Sequence, residues 1–256
     1  MFDEEILITH ADPKSPISEA YRVLRTNIQY SCIDKPLKTI VITSTGPMEG
    51  KTTTVANLGI IFAQMGSKVL IIDSDLRKPR IHKIFWFSND AGLTNFLAVH
   101  DDYVKYIRNS AVPNLDILTS GTIPPNPSEL LNSNSMKQFI GKVREDYDII
   151  LLDAPPVGSV TDASIISTYV DGTILVVNSG EVEIEALKRS KELLDKVSAN
   201  IIGVVLNNIE KGAKGNYYQY YYQEDGEKKK RKIKEKKRKI KEKKKKKPNI
   251  KLPEAG

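Results

Sequence analysis

The sequence predicts a doubly wound α/β fold with a mainly parallel sheet. Six short apolar runs are rich in β-branched residues and nearly uninterrupted, as expected of strands that are buried on both faces of a parallel sheet. Segments with helical spacing separate these runs, and this alternation implies βαβ units. The predicted strands are residues 39–43, 69–72, 115–118, 149–152, 172–177 and 201–206.

Helical periodicity is clearest over residues 53–65, where apolar side chains recur at i, i+3 and i+4. A looser pattern covers residues 184–197. Ahead of the first strand, residues 18–29 predict a further helix, with Ser18 as its candidate N-cap.

Composition bounds the class of protein. A chain of 256 residues with 40% hydrophobic content suffices for one core of substantial size plus appendages. A single cysteine, Cys32, excludes an internal disulfide, and no Cys/His cluster predicts a zinc site. The acidic N-terminus does not resemble a signal peptide, and no apolar run reaches the roughly 20 residues that span a bilayer. We therefore expect a soluble protein of a reducing cytoplasm, in which any association with a membrane is peripheral or through a partner.

The charge is divided unevenly along the chain. From residue 228 onward, 17 Lys and Arg face three acidic residues, whereas residues 1–227 carry a net charge of −7. The basic segment repeats KKRKIKE at 229–235 and 236–242, and like-charge repulsion predicts that it is disordered. A solvated tail without a dedicated partner, attraction to anionic lipid, nucleic acid or acidic glycan, and folding back onto the acidic body all remain open.

These features divide the chain into four parts. Residues 1–35 form an N-terminal segment with the predicted helix, and residues 36–212 form the α/β domain. Residues 213–227 contain a tyrosine cluster, and residues 228–256 form the lysine-rich tail.

The sharpest motif is a strand that runs into the loop STGPMEGKT and then a helix. Backbone N–H groups of such a loop surround phosphates, while Lys51 reaches the terminal phosphates and the Thr52 hydroxyl reaches Mg²⁺. The pattern GxxxxGK[ST] requires glycine where Thr45 stands, with Gly46 one place later, so the loop is a variant. An ordinary turn with an exposed lysine remains open for the loop taken alone. The predicted phosphate-binding residues are Gly46, Glu49, Gly50, Lys51, Thr52 and Thr53.

Carboxylates follow two other predicted strands. Asp73 and Asp75 come at the end of VLIIDSD, and Asp153 comes at the end of IILLD. Because ligands of open α/β sheets bind outside the carboxyl ends of the strands, we expect these side chains to meet the phosphate loop in one crevice. Phosphoryl transfer with ATP and Mg²⁺ requires this combination of cation, metal-binding carboxylates and proton acceptor.

In combination, these motifs resemble the bacterial tyrosine kinases of capsule and exopolysaccharide production. The loop STGPMEGKT is similar to their Walker A motif, VLIIDSDLR to their DxDxR motif and IILLDAPP to their Walker B motif. Further similarity lies in IPPNPSELL, VTDAS, GVVLN and the tyrosine cluster NYYQYYY. The resemblance implies a P-loop NTPase fold like that of MinD and an ATP-dependent protein-tyrosine kinase that regulates polysaccharide synthesis and export.

The resemblance also implies a role for each matching residue. Lys51 contacts the phosphates, and Asp73 is the base for the tyrosine hydroxyl. Mg²⁺ is held, directly or through water, by Thr52, Asp75 and Asp153.

Residues outside the phosphate site match as well. Asn207 would hydrogen-bond the adenine, and Arg77 matches DxDxR without an assigned role. Glu19, Arg22 and Arg25 would join subunits in a ring-like homo-oligomer, although a solvated helix face explains their spacing equally well.

A tyrosine cluster near the C-terminus lacks helical or strand periodicity, which predicts exposed side chains. The candidate autophosphorylation sites are Tyr217, Tyr218, Tyr220, Tyr221 and Tyr222. An aromatic patch for a partner or an edge strand is the alternative. The resemblance implies transfer between subunits, activation by a membrane adaptor protein and reversal by a cognate tyrosine phosphatase, with no specific nucleic acid as a partner.

Two rival functions use the same fold. A positioning ATPase related to MinD or ParA would bind membrane or DNA through its basic tail, but such proteins usually carry a lysine early in the loop, where this chain has Gly46. An inactive scaffold that binds ATP is the other.

Overall fold

In the computed structural model, the described residues are 6–31, 36–99 and 101–209. Cys32, the tyrosine cluster and the basic tail lie outside them. The expectations about those residues therefore stay predictions.

A seven-stranded sheet forms the centre of the described chain. The strands are β1 Thr39–Ser44, β2 Val69–Asp73, β3 Arg108–Asn109, β4 Leu115–Leu118, β5 Ile149–Asp153, β6 Gly172–Asn178 and β7 Ile201–Asn207. Their spatial order is β3-β4-β2-β5-β1-β6-β7, and every neighbouring pair is parallel except β3 with β4. This arrangement confirms the predicted doubly wound sheet and all six predicted strands. The two-residue strand β3 was not predicted, since its sequence has no apolar alternation.

The helices cover both faces of the sheet. They are α1 Ile8–Ala11, α2 Pro16–Tyr30, α3 Lys51–Gln64, α4 Ile81–Ile84, α5 Leu93–Val99, a 3₁₀ turn Tyr103–Tyr106, α6 Pro127–Asn132, α7 Asn134–Asp146, α8 Asp162–Ser167 and α9 Ile184–Asp195. Adjacent residues of β1 serve opposite cores: Ile40 and Ile42 pack with α3, whereas Val41 packs with α7 and α8. Alternation along one strand thus fills two apolar layers.

The predicted burial of strands on both faces holds for β1, β2, β5 and β6. It is wrong for β7, where Val204 and Leu206 are 50% and 55% exposed. β7 is the edge strand of the sheet, so the described helices leave part of it uncovered.

The helix before the first strand begins earlier than predicted, and its N-cap is Ser15 rather than Ser18. Ser15 Oγ accepts a hydrogen bond from the Ser18 backbone N–H at 3.1 Å, while the buried Ser18 hydroxyl donates to the Asp12 carbonyl at 2.7 Å. Pro16 at the first helical position lacks the N–H that would be unpaired there. The prediction erred because both serines precede the apolar pattern.

The N-terminal segment packs on α3 through polar contacts. The backbone N–H and hydroxyl of Thr9 donate to Asn57 Oδ1 at 3.0 and 2.9 Å, and Asn57 Nδ2 donates to the Ile6 carbonyl at 2.8 Å. Thr9 and Asn57 are fully buried, so these bonds replace those that water would make.

Within the described residues, no helix is long and apolar enough to cross a membrane.

One carboxylate ties three elements together at the amino ends of β1 and β6. Asp171 Oδ2 accepts from the backbone N–H groups of Lys38 and Thr39 at 2.9 and 2.8 Å, and from Arg144 Nη1 of α7 at 2.8 Å. Burial alone would raise the pKa of Asp171, but the N–H donors of Thr39 and Arg144 lower it below its usual value.

Replacing Asp171 with Ala should therefore lower the free energy of unfolding by about 2–3 kcal/mol, because these donors and the Thr39 hydroxyl lose a charged acceptor. Since the pKa is depressed in the folded state, the parent's advantage over the variant is full above about pH 4 and declines as the pH falls through the folded pKa. Urea denaturation from pH 7 to pH 3 measures both effects. Asp195→Ala, which breaks an exposed ion pair with Lys191, is the control. Equal losses in the two variants would contradict this role for Asp171.

Candidate active site

The loop between β1 and α3 ends at a glycine with a left-handed backbone conformation. Gly50, at the N-terminus of α3, has φ +90°, and a Cβ there would lie 2.0 Å from Asn207 Nδ2. Asn207 Nδ2 itself donates to the Glu49 carbonyl at 3.1 Å. Only glycine satisfies both the left-handed angle and this close approach.

Glu49 lies inside the loop rather than on its surface. Its side chain is 5% exposed, and its carboxylate accepts a short hydrogen bond from the Gly46 N–H. Burial raises the pKa of Glu49, and backbone donors including Gly46 oppose that rise. The Glu49 carboxylate thus links the end of the loop to Gly46 near its start, next to the position where the loop departs from the usual pattern.

Lys51 and Thr52 begin α3 and contact the carboxylates that the sequence predicted beside them. Lys51 Nζ lies 3.0 Å from Asp75 Oδ2 and 3.3 Å from Asp153 Oδ1. The Thr52 hydroxyl donates to Asp153 Oδ2 at 2.7 Å. Burial opposes the charge of Lys51, but Asp153 and Asp75 outweigh it, so the pKa of Lys51 is raised. The predicted convergence of these four side chains is present.

Asp73 lies beside this group at the end of β2, where it pairs in register with Asp153 of β5. It is fully buried, and its Oδ2 accepts from the backbone N–H groups of Arg80 and Ile81 at 3.1 and 3.0 Å. Its Oδ1 has no hydrogen-bond partner among the described residues. Burial, together with the nearby Asp153 charge, raises the pKa of Asp73 well above its usual value. Asp73 therefore binds a proton more readily than an ordinary aspartate does.

The charge balance of the site fits a divalent cation. Three carboxylates, Asp73, Asp75 and Asp153, are 4% exposed or less and face the single ammonium of Lys51. Burial also raises the pKa of Asp153. Among the described residues, no group of three or more His, Cys, Asp or Glu side chains is arranged to hold a metal. The ligands predicted from the sequence, Asp75, Asp153 and the Thr52 hydroxyl, lie together around Lys51. Mg²⁺ is commonly bound by one or two carboxylates together with water and substrate phosphates.

Arg77 contacts Asp162 rather than the carboxylates around Lys51. Its Nε and Nη2 donate to Asp162 Oδ2 and Oδ1 at 2.8 and 3.0 Å, a two-point contact between the loop after β2 and the start of α8. Asp162 is fully buried. In the sequence, Asp162 stands out only as part of VTDAS. Its pairing with Arg77 could not be predicted, because no spacing rule connects residues 85 positions apart.

A cavity of about 550 Å³ opens over this group. Its lining includes Gly50, Lys51, Thr52, Thr53 and Asp75, and it continues to a second set formed by Ile6, Pro47, Met48, Lys78, Arg80, Lys83, Ile84 and Pro156. Asp73 is behind this lining. Asn207, the predicted adenine contact, reaches the loop from β7, and its adenine role stays a prediction.

The residues predicted to join subunits share one helix. On α2, Arg22 Nη1 pairs with Glu19 at 2.8 Å. Arg25 Nε and Nη1 are buried without a hydrogen-bond partner in the part of the chain that the structure describes. An unsatisfied guanidinium costs free energy, so Arg25 favours an additional acceptor.

Comparison with known proteins supports one family. The AAA domain family matches residues 37–205. The tyrosine-protein kinase YwqD of Bacillus subtilis is 42% identical over 86% of this chain and 92% of its own length. The putative tyrosine-protein kinase CapB of Staphylococcus aureus is 39% identical over 86% of this chain and 96% of its length.

Solved structures agree on the fold. The chimerical protein CapA2B2 superimposes with a TM-score of 0.78 and 42% identity over 81% of this chain and 91% of that one. The septum site-determining protein MinD of Pyrococcus horikoshii is more distant, with a TM-score of 0.58 and 27% identity over 69% and 72%. The comparisons therefore do not favour the positioning-ATPase rival.

Replacing Asp73 with Asn should raise the denaturant midpoint of the ligand-free protein at pH 7. Asn removes one charge from the buried like-charged group, and its amide oxygen still accepts from Arg80 and Ile81. Because the folded pKa of Asp73 is raised, its charge destabilises the fold at neutral pH, and the gap between the two proteins should narrow as the pH falls through that pKa. Asp195→Asn, an exposed carboxylate, is the control. A lower midpoint for Asp73→Asn at pH 7 would contradict the inferred repulsion.

Proposed function

The chain belongs to the bacterial tyrosine-protein kinases, with an AAA domain over residues 37–205, and we propose that it phosphorylates its own C-terminal tyrosines between subunits. The enzyme is an ATP-dependent protein-tyrosine kinase of the type found in capsule and exopolysaccharide regions. The observation that carries the proposal is a fully buried Asp73 beside a phosphate loop, with an Oδ1 that has no hydrogen-bond partner among the described residues.

The loop binds the phosphates of ATP through its backbone. Backbone N–H groups of residues 48–52, which include the N-terminus of α3, attract the triphosphate, and Lys51 offsets charge on the transferred group. The tyrosine oxygen forms a bond to the γ-phosphorus as the bond to the β–γ bridging oxygen breaks, and ADP leaves with that oxygen.

Lys51 changes partners in this proposal. Its ammonium lies 3.0 Å from Asp75 and 3.3 Å from Asp153, whereas compensation of the phosphate charge requires it next to the phosphates. When ATP binds, Lys51 moves to the phosphates and leaves Asp75 and Asp153 for the metal. Mg²⁺, held by these carboxylates and Thr52, would supply charge compensation for the phosphate oxygens.

Asp73 accepts the tyrosine proton. Two backbone N–H groups fix its Oδ2 and leave Oδ1 without a described donor. The raised pKa of Asp73 lies closer to the pKa of the tyrosine phenol, and this smaller difference improves proton transfer. Asp73 is fully buried and is not part of the cavity lining, so in this proposal the tyrosine reaches Oδ1 after Lys51 has moved toward ATP.

The assembly around this site extends the proposal. Arg25, whose buried Nε and Nη1 have no hydrogen-bond partner among the described residues, supports α2 as a contact in a ring-like homo-oligomer, together with Glu19 and Arg22. We also propose a membrane adaptor as activator, a cognate phosphatase for the tyrosines, and peripheral association with the inner membrane face. The basic tail would add electrostatic attraction to anionic lipid at about 1 kcal/mol per basic residue near the surface.

Lys51→Met and Asp73→Asn should each reduce tyrosine phosphorylation by roughly 10²-fold or more, for different reasons. Lys51→Met loses compensation of phosphate charge and should also bind ATP weakly. Asp73→Asn loses the base and should retain ATP binding. Phosphotyrosine mapping with Mg·ATP and equilibrium nucleotide binding measure the two effects, with Asp195→Asn as the control. Parent-level phosphorylation by Asp73→Asn would exclude it as the base.

Transfer between subunits predicts labelling of an inactive chain. A Lys51→Met protein with intact tyrosines is mixed with an active protein in which the five cluster tyrosines are Phe. Phosphate should appear on the Lys51→Met chain at Tyr217–Tyr222, because the acceptor of one subunit enters the site of another. Absence of label from folded, mixed assemblies would exclude transfer in trans.

The ring contact is tested in the same mixture. Arg22→Ala with Arg25→Ala should reduce the oligomer size in sedimentation and slow the labelling. Arg189→Ala, an exposed arginine of α9 without an ion pair in the described chain, is the control. Unchanged oligomer size would remove α2 from the interface.

A further inference from the structure

Three basic side chains line the outer part of the cavity. Lys78, Arg80 and Lys83 are exposed, and none forms an ion pair with a carboxylate in the described parts of the chain. Arg77, on the same loop, instead donates both arms to Asp162. We call Lys78, Arg80 and Lys83 the basic rim.

The basic rim is built onto the catalytic carboxylates. The Lys78 backbone N–H donates to Asp75 Oδ1 at 3.0 Å, and the Arg80 backbone N–H donates to Asp73 Oδ2 at 3.1 Å. The rim therefore begins within one side-chain length of the reacting centre. Its position is set by the same backbone contacts that hold the carboxylates.

The interior and the mouth of the cavity have opposite charge. At its inner end the cavity is lined by Asp75, whose neighbours Asp73 and Asp153 are not part of the lining. Together these three carboxylates outnumber the one ammonium of Lys51, and their net charge attracts a divalent cation and repels an acidic peptide. At the mouth, three unpaired cations attract anions. The outer set therefore fits a negatively charged segment that continues away from the acceptor hydroxyl.

The chain contains such a segment directly after its tyrosine cluster. Glu224, Asp225 and Glu227 follow Tyr222 at two, three and five positions, before the lysines begin at residue 228. In extended conformation these positions lie roughly 7–17 Å along the chain from the tyrosine. Three acidic residues thus follow the acceptor at distances suited to a group of cations on the segment next to the active site.

We propose that the basic rim binds acidic residues on the C-terminal side of the acceptor tyrosine, so that the kinase selects acidic tyrosine segments. The inference rests on the proposed kinase function. Exposed ion pairs each contribute modestly and are screened by salt, so selection should come from the three cations together and weaken as salt is raised.

Peptide kinetics test the selection. The enzyme is the full chain with its five cluster tyrosines changed to Phe, and the acceptors are a peptide of residues 216–227 and its counterpart with Gln, Asn and Gln at positions 224, 225 and 227. At low salt, the KM of the acidic peptide should be roughly ten-fold lower than the KM of its neutral counterpart. The Lys83→Gln variant should reduce this KM ratio by roughly two- to five-fold, and the double variant Lys78→Gln with Lys83→Gln should remove most of it.

Lys83 is the cleanest position, because its backbone contacts Arg80 rather than a catalytic carboxylate. Lys196→Gln, an exposed lysine just beyond α9 and before β7 at the opposite sheet edge, is the matched control and should leave the preference unchanged. Equal KM values for the two peptides in the parent would overturn the proposal. So would a Lys83→Gln effect confined to the KM for ATP, which would assign the rim to the nucleotide.

A binding measurement separates this proposal from the proposed kinase function. Trp86 is the single tryptophan, is 64% exposed and lies two residues beyond Ile84 in the cavity lining. The binding is measured on the Asp73→Asn variant without ATP, so that no phosphate is transferred. The Trp86 fluorescence should show that the acidic peptide binds more tightly than its neutral counterpart. Preferential binding without any phosphotyrosine in the parent would contradict the kinase function alone, whereas transfer without charge preference would contradict the rim alone.

Discussion

Three carboxylates are buried at one edge of the sheet beside a single ammonium group, and the local structure is arranged around that repulsion. Parallel pairing of β2 with β5 puts Asp73 directly beside Asp153. Lys51 neutralises part of the charge from the start of α3, and backbone N–H groups of the loop after β2 bind Asp73 and Asp75. This residual negative charge lowers the stability of the fold and is the basis of our proposals for metal binding and proton transfer.

The contacts around the site hold the loops that present those groups. Asn207 fixes the phosphate loop from the edge strand, and Arg77 with Asp162 fixes the loop after β2 against α8. Each contact joins parts of the chain that are far apart in sequence. Loop positions near the phosphates are thereby set by the sheet and helices rather than by the loops alone.

The same loop after β2 serves two kinds of recognition in our proposals. Its backbone holds the carboxylates for metal and proton transfer, and its basic side chains face the outside of the cavity. Separation of the two charges along one short segment lets an acidic acceptor approach a negatively charged centre. The likeness to MinD concerns the shared fold, whereas these side chains determine the chemistry.

Sequence alone determined the sheet, the phosphate loop and the identity of its carboxylates. Buried parallel strands read as continuous apolar runs, and aspartates at their ends must meet at one edge, so Asp73, Asp75 and Asp153 could be placed before any coordinates. Tertiary structure decided what spacing does not encode: the Ser15 cap, the exposure of β7, the Asp162 partner of Arg77, the inward Glu49 and the unpaired basic rim. Each depends on which distant segment packs alongside, and that follows from the order of strands and helices in space rather than from local periodicity.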